Sequence, residues 1–211
     1  MRKKLLAGVF AAVLGLTCSP SAAGAAPTAA ADAYLAAANT CDITISAPAT
    51  VSIPYLPQTL DEFKAMDKLD LTKPENTVIM YLAATNLFAH NEADGIAALN
   101  MLAGPRPLSS QDIYFYRERL KDKKYLMKVY FHGATPENNY EPEQPYTLTI
   151  HPDAGRYGEE GYCRVFLKAP AFDSPRPVTL RYKPSTGEYF IWNMNSILVG
   201  VRTPRNQDPW A

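Results

Sequence analysis

The side chains able to do chemistry are few and scattered. The chain has three histidines. His90 stands four residues before Asp94, a spacing that can place an acid–base pair or half a metal site on one helix face. Asn91 and Gly95 interrupt that helix, so the pair reads as a solvated turn between two helices. His132 and His151 take the outward positions of two expected strands, and His151-Pro152-Asp153 adds a carboxylate. On neighbouring strands the two imidazoles could share a metal or act as a base. The plainer reading is two exposed histidines near strand ends. No Gly-x-Ser-x-Gly elbow, phosphate loop or dinucleotide signature is present. Cys163 lies in the alternating run GYCRVF, which suits packing better than nucleophilic attack. The acids Asp61, Glu62, Asp67 and Asp70, and Glu137, Glu141 and Glu143, sit on stretches that read as solvated surface, and Glu159-Glu160 reads as a turn. None forms the opposed pair that glycoside hydrolysis requires. The balance leans away from an enzyme, and no metal or cofactor is implied.

A binding surface is better supported than a catalytic one. Aromatic residues make up 11% of the chain. Tyr157, Tyr162, Tyr189 and Trp192 fall on or near expected strands, and exposed Tyr or Trp beside Arg suits peptide, protein or glycan contact. The expected surface is the Arg156–Tyr162 loop with Arg181 and Tyr182, so Tyr157, Tyr162, Arg164, Arg181 and Tyr182 are its candidate residues. The competing reading makes most of these aromatics core or half-buried sheet residues.

Two kinds of element must position these residues. Thr59 with Glu62 opens a short helix, and Thr72-Lys73-Pro74-Glu75 opens a longer one carrying Val78, Tyr81, Leu82, Thr85 and Phe88. A third runs from Asn91 to Leu102 and stops at Gly104-Pro105; a fourth begins at Ser109 with Asp112. After Lys121 the apolar period falls from 3.6 to 2. Strands are expected at Tyr125–Phe131, Tyr146–Ile150, Cys163–Leu167, Val178–Tyr182, Tyr189–Trp192 and Ile197–Val201, with a hairpin turn at Ser185-Thr186-Gly187. Earlier, Ile43–Ile45 and Val51–Ile53 read as short strand pieces. The fold class is α+β: N-terminal helices packed on one face of a C-terminal, curved, antiparallel sheet of about five to six strands. The other face would carry Lys128, His132, Thr147, Thr149, His151, Arg164, Lys168, Arg181 and Lys183, and would be polar and locally basic.

The N-terminus reads as an address. Met1-Arg2-Lys3-Lys4, the uncharged apolar run Leu5–Leu16 and the small residues after it have the layout of a secretory signal peptide, ending near Ala23-Gly24-Ala25. Residues 1–25 are assigned to that leader, 26–57 to an Ala/Pro-rich extension, 58–204 to one domain and 205–211 to a tail. The apolar run is shorter than the ~20 residues a bilayer core needs. Gly15-Leu16-Thr17-Cys18 leaves open a lipid on Cys18, although Gly15 and Thr17 depart from the lipoprotein pattern. Without Arg2, Lys3 and Lys4 the chain keeps 18 basic against 21 acidic side chains, a charge of −3. That offers no footprint for nucleic acid. The expected location is periplasmic or extracellular, and the only expected membrane contact is the lipid. Cys41 and Cys163 then remain, in an oxidising compartment, as a disulfide candidate or as two separate thiols.

The segments GATPENNYEPEQPYTLTI (133–150), GYCRVFLKAPAFDSPRPVTLRYKPSTGEYFIWNMNSILVGVRTP (161–204) and DPWA (208–211) carry a resemblance to a family of secreted bacterial proteins described only as a domain of unknown function. It covers about residues 60–205 and implies secretion and one compact domain, with no activity. At position 163 the resemblance implies an apolar or small residue other than cysteine. Architecture alone also resembles the cone-shaped fold of nuclear transport factor 2 and its relatives, which implies a small ligand held between helices and sheet. The expectation is therefore an exported, non-catalytic binding or interaction module of the cell envelope, its partner an envelope protein, peptide or glycan. The alternative is a small-ligand carrier or enzyme with a pocket between helices and sheet.

Overall fold

The computed structural model describes residues 48–153 and 160–210. The expected leader, Cys18, the Ile43–Ile45 strand piece, Cys41 and Tyr157 lie outside them. Five strands form one antiparallel sheet in chain order: β1 (Ala49–Ile53), β2 (Tyr146–Pro152), β3 (Tyr162–Leu167), β4 (Arg176–Lys183) and β5 (Glu188–Asn193). Four helices, α1 (Leu60–Lys64), α2 (Pro74–His90), α3 (Glu92–Ala103) and α4 (Ser110–Leu120), are inserted between β1 and β2. The class is α+β with a curled antiparallel sheet, as the change of period implies. Val51–Ile53 is an edge strand of that sheet: Val51 pairs with Leu148 and Ile53 with Tyr146.

The helix boundaries follow local chemistry. Thr59 Oγ1 accepts the Glu62 amide, while the Glu62 carboxylate accepts the Gln58 amide one residue before the expected partner. Pro74 occupies the first turn of α2, where its missing N–H costs nothing. At Ser109 and Asp112 the reciprocal capping box is complete. His90 ends α2 and Asn91 caps α3, so the expected turn separates His90 from Asp94.

Every residue from Asn76 to Phe88 is buried. Rather than one apolar stripe, α2 is enclosed around its circumference, the arrangement of a central helix. Two close contacts hold it. At the start of α3, a Cβ on Gly95 would lie 2.2 Å from the Phe88 backbone, so only glycine lets the two helices approach this far. At the other end, Thr77 Oγ1 donates to the Tyr189 carbonyl (3.0 Å), and the Tyr189 amide donates to the Leu71 carbonyl (2.8 Å). Those two bonds occupy the outer edge of β5, which is otherwise open to pairing with another chain. Leu148, Ile150, Cys163, Val165, Leu167, Val178 and Leu180 face inward and share one core with α2.

Two expected strands do not form. Residues 125–131 turn through successive short bonds, with Lys128 N–H to Tyr125 O and Phe131 N–H to Lys128 O, and a 3-10 turn at Lys128–Tyr130. Leu126 and Met127 are both buried, as are Val129, Tyr130 and Phe131. A pleated strand buries only alternate residues, so this apolar run winds instead. Ile197 and Leu198 are likewise consecutive and buried, and a 3-10 turn at Asn195–Leu198 replaces the strand expected at Ile197–Val201.

The core also contains tyrosine hydroxyls. Tyr81 and Tyr116 share a hydrogen bond of 2.8 Å, Tyr130 donates to the Ile197 carbonyl, and Tyr140 donates to the Arg202 carbonyl. Burial pushes Tyr116 and Tyr140 up to about 12, and drives Tyr81 and Tyr130 upward as well.

Gly95→Ala is expected to destabilise the fold by about 3 kcal/mol, read as a lower urea midpoint at unchanged slope; an unchanged midpoint would show that α2 and α3 do not touch there. The tyrosines predict an alkaline limit. Above pH 10 the unfolded chain sheds phenolic protons that the folded chain keeps, so stability falls as pH rises. Absorbance at 295 nm should show a late phase, above pH 11, that coincides with loss of circular dichroism. A single smooth phase centred near pH 10 with the fold intact would contradict the burial of these hydroxyls.

Candidate functional site

The alternation that buries Cys163, Val165 and Leu167 turns Tyr162, Arg164 and Phe166 to the outer face of the sheet. The register of β3 with β4 sets Tyr162 opposite Arg181, Arg164 opposite Thr179 and Phe166 opposite Pro177. Three of the expected residues, Tyr162, Arg164 and Arg181, therefore share one face. Tyr182 does not join them. It follows Arg181 along a pleated strand and so faces the other way, its ring 4.9 Å from that of Tyr189.

The assembled face is a chain of guanidinium and aromatic contacts. The Arg181 guanidinium lies 4.2 Å over the Tyr162 ring and donates from Nη1 to the Glu160 carbonyl at 3.0 Å. Gly161 makes room for it: its φ is +74°, and a Cβ there would meet Arg181 Nη1 at 3.0 Å. The Tyr162 ring meets Trp192 edge-on at 5.2 Å. Over Trp192, at 4.2 Å, lies the Arg106 guanidinium, which also donates to the Trp192 carbonyl at 3.0 Å. Each such stack contributes about 0.5–1 kcal/mol at an exposed site, and each fixes a long cationic side chain in one place. Beside them, Arg164 pairs with Asp153 at 2.6 Å and lies 5.6 Å over Phe166. Among the described residues, no carboxylate lies within ion-pair distance of Arg106, Arg181 or Lys183.

Trp192 reads in the sequence as a strand aromatic suited to contact, but two placements in this arrangement were hidden there. Arg106 belongs to the turn after α3, far from any strand, and only the tertiary fold brings it to β5. Trp192 is placed by an irregularity: β4 and β5 shift register between Thr179 and Leu180, leaving Trp192 as the extra residue between Ile191 and Asn193. No local pattern marks either.

The other chemical groupings come apart. His90 Nδ1 bonds the Asn86 carbonyl, while Asp94 accepts the Leu60 amide, so they serve different elements. His132 Nε2 bonds Thr149 Oγ1 at 2.8 Å. On β2, His151 has its pKa lowered by burial and by Lys168. No three His, Cys, Asp or Glu side chains converge as a metal site among the described residues. Cys163 is fully buried on the inner side of β3.

The space between helices and sheet, where a carrier or enzyme would need its pocket, is occupied by core side chains including Met80, Leu87, Leu148, Val165 and Leu180. A depression of about 250 Å³ lies elsewhere, lined by Pro136, Glu137, Thr203, Arg205 and Asp208. The loop beside it is tightly organised: Asn138 accepts the Thr135 amide and donates to the Gly133 and Glu141 carbonyls. Glu137 there is held below the usual carboxylate range by its own backbone N–H and the Thr135 hydroxyl, with Arg202 and Arg205 adding to the effect.

No curated protein and no solved structure matches the chain. Residues 55–205, from just after β1 to the last turn, match a family model. The chain thus belongs to the family described as a domain of unknown function (DUF6935).

Proposed function

We propose that this protein is an exported, non-catalytic binding module whose contact surface is the outer sheet face built on Arg106, Trp192, Tyr162 and Arg181. The observation that carries the reading is that Arg106 and Arg181 stack on Trp192 and Tyr162, two rings in contact on one face, with no acidic partner among the described residues. Ordering long cations without neutralising them brings little stability to the fold itself. It makes sense as preorganisation for a partner. The basic, apolar and small-residue order of the N-terminus supports export.

Export into an oxidising compartment supports a Cys41–Cys163 disulfide. β1 runs antiparallel to β2 with Ala49 opposite Ile150, and β2 in turn pairs its Pro152 with Val165. Ala49 thus enters the sheet on the side of the β3 end that carries Cys163. The eight residues from Cys41 to Ala49 can reach about 27 Å when extended, whereas β1 and β3 are two strand spacings, about 10 Å, apart. Forming the bond takes two thiols to one disulfide, with two protons and two electrons passing to an oxidised dithiol oxidoreductase.

The surface is tested by photocrosslinking. With p-benzoylphenylalanine at Thr179 on the outer face, an adduct is expected in the producing cell or its medium, and none with the probe at Arg119 on α4. An adduct from Arg119 alone would move the binding surface to the helices. For the disulfide, the exported chain should weigh 2 Da less than its reduced form and resist alkylation until reduced. Cys41→Ser should cost up to about 5 kcal/mol of stability in the chain-entropy account. Two alkylatable thiols in the unreduced, denatured protein would exclude the bond.

A further inference from the structure

Resting on the reading of the outer sheet face as a contact surface, we infer that its ligand is an extended acidic peptide, a segment of a partner protein with carboxylates at alternate positions. What the face offers decides the ligand's charge. Arg181 covers one face of the Tyr162 ring and Arg106 covers one face of Trp192. Those aromatic faces are taken, so the stacking platform a neutral sugar ring would use is capped. Guanidinium N–H edges are presented instead. Each of the two arginines spends one N–H on a backbone carbonyl and keeps others for an acceptor. Guanidinium edges match carboxylates, which they can bind through two parallel bonds.

The location is selective. Once the leader is removed the chain is acidic, yet this face carries Arg106, Arg164, Arg181 and Lys183 in one area. Asp153 is engaged with Arg164 at 2.6 Å, and Glu188, opposite Lys183 in the register, forms no ion pair with it within 4 Å. A basic area on an acidic molecule favours acidic partners and repels the same area of a second copy.

The spacing points to an extended chain. Arg181 and Lys183 project from the same side of β4 two residues apart, about 7 Å along the strand. Side chains of an extended peptide recur on one side with the same period. A segment lying along β4 with acids at every second residue sets one carboxylate over Arg181 and the next over Lys183. Arg106, across β5, flanks it.

The test uses the mature chain and a fluorescein-labelled decapeptide of alternating Glu and Thr, with its Lys/Thr counterpart as control, read by anisotropy at low salt. Saturable binding of the Glu peptide alone is expected, weakened about tenfold by Arg181→Gln and by Arg106→Gln and unchanged by Arg119→Gln on α4. These side chains are exposed, and equal melting temperatures will show that the variants fold. Equal affinity for the two peptides, or binding indifferent to both substitutions, overturns the inference. So does displacement of the peptide by equimolar oligogalacturonate or by polyphosphate, which would make the ligand an acidic glycan or a phosphate polymer. Crosslinking at Thr179 separates the two levels. An adduct there to a segment lacking acids removes the acidic peptide and leaves the contact surface standing, whereas no adduct at Thr179 removes the surface itself.

Discussion

Enclosure of α2 is the constraint on which the rest of this molecule depends. A helix buried from Asn76 to Phe88 needs neighbours on every side. The inner face of the sheet supplies one wall, and α3 supplies another through the contact of Gly95 with Phe88. Backbone groups must then be satisfied where helix meets sheet edge, and Thr77 does this by donating to Tyr189. That bond and the Leu71–Tyr189 bond finish the edge of β5. They also fix the strand that carries Trp192, so the candidate surface on the outer face is held in place from the inner one.

Much of this was legible because pleating is unforgiving. Cys163, Val165 and Leu167 must be buried together, so Tyr162 and Arg164 must be exposed together, and that much follows from GYCRVF alone. The same rule explains why Tyr182 could not belong to the surface that holds Arg181. Helix starts were legible for a related reason: the chemistry of a cap is local, as at Ser109 with Asp112. The alternation at 125–131 misled because nearly every residue there is apolar. With Leu126, Met127, Val129, Tyr130 and Phe131 all buried the segment carries no period of 2, and its backbone closed 3-10 turns on itself. Arg106 was illegible because a turn residue acquires its partner only through tertiary structure. Trp192 was legible as a strand aromatic, but the face it takes was not, because a one-residue bulge leaves no mark in the pattern of side chains.

The face is also economical in how it holds charge. An isolated exposed arginine samples many rotamers and is screened by water, and ordering it costs entropy. Stacking on Trp192 and Tyr162, with one bond to a carbonyl each, offsets that cost locally without introducing an acid. Arg164 shows the contrast on the same sheet: pairing with Asp153 compensates its charge. Neutralised cations and preorganised, uncompensated ones thus stand side by side, and only the latter leave strong electrostatic demand for a partner.

Much of what is most distinctive in the sequence serves architecture, although Tyr162, Arg181 and Trp192 lie in the same segments. Asn138 ties together the loop that contains it, and Tyr140 reaches the Arg202 carbonyl across 62 positions. Arg205 N–H donates to Pro136 O, joining the C-terminal turn to the same loop. Gly200 lies against Arg176, where a Cβ would come within 2.9 Å of Nη2. These residues hold the tail, the loop and the start of β4 to one another. A pattern whose residues are consumed by internal bonds specifies a fold and leaves its use open. Of the arginines stacked on Trp192 and Tyr162, Arg106 lies outside those segments altogether, so the function of this domain has to be read from what the folded surface gathers.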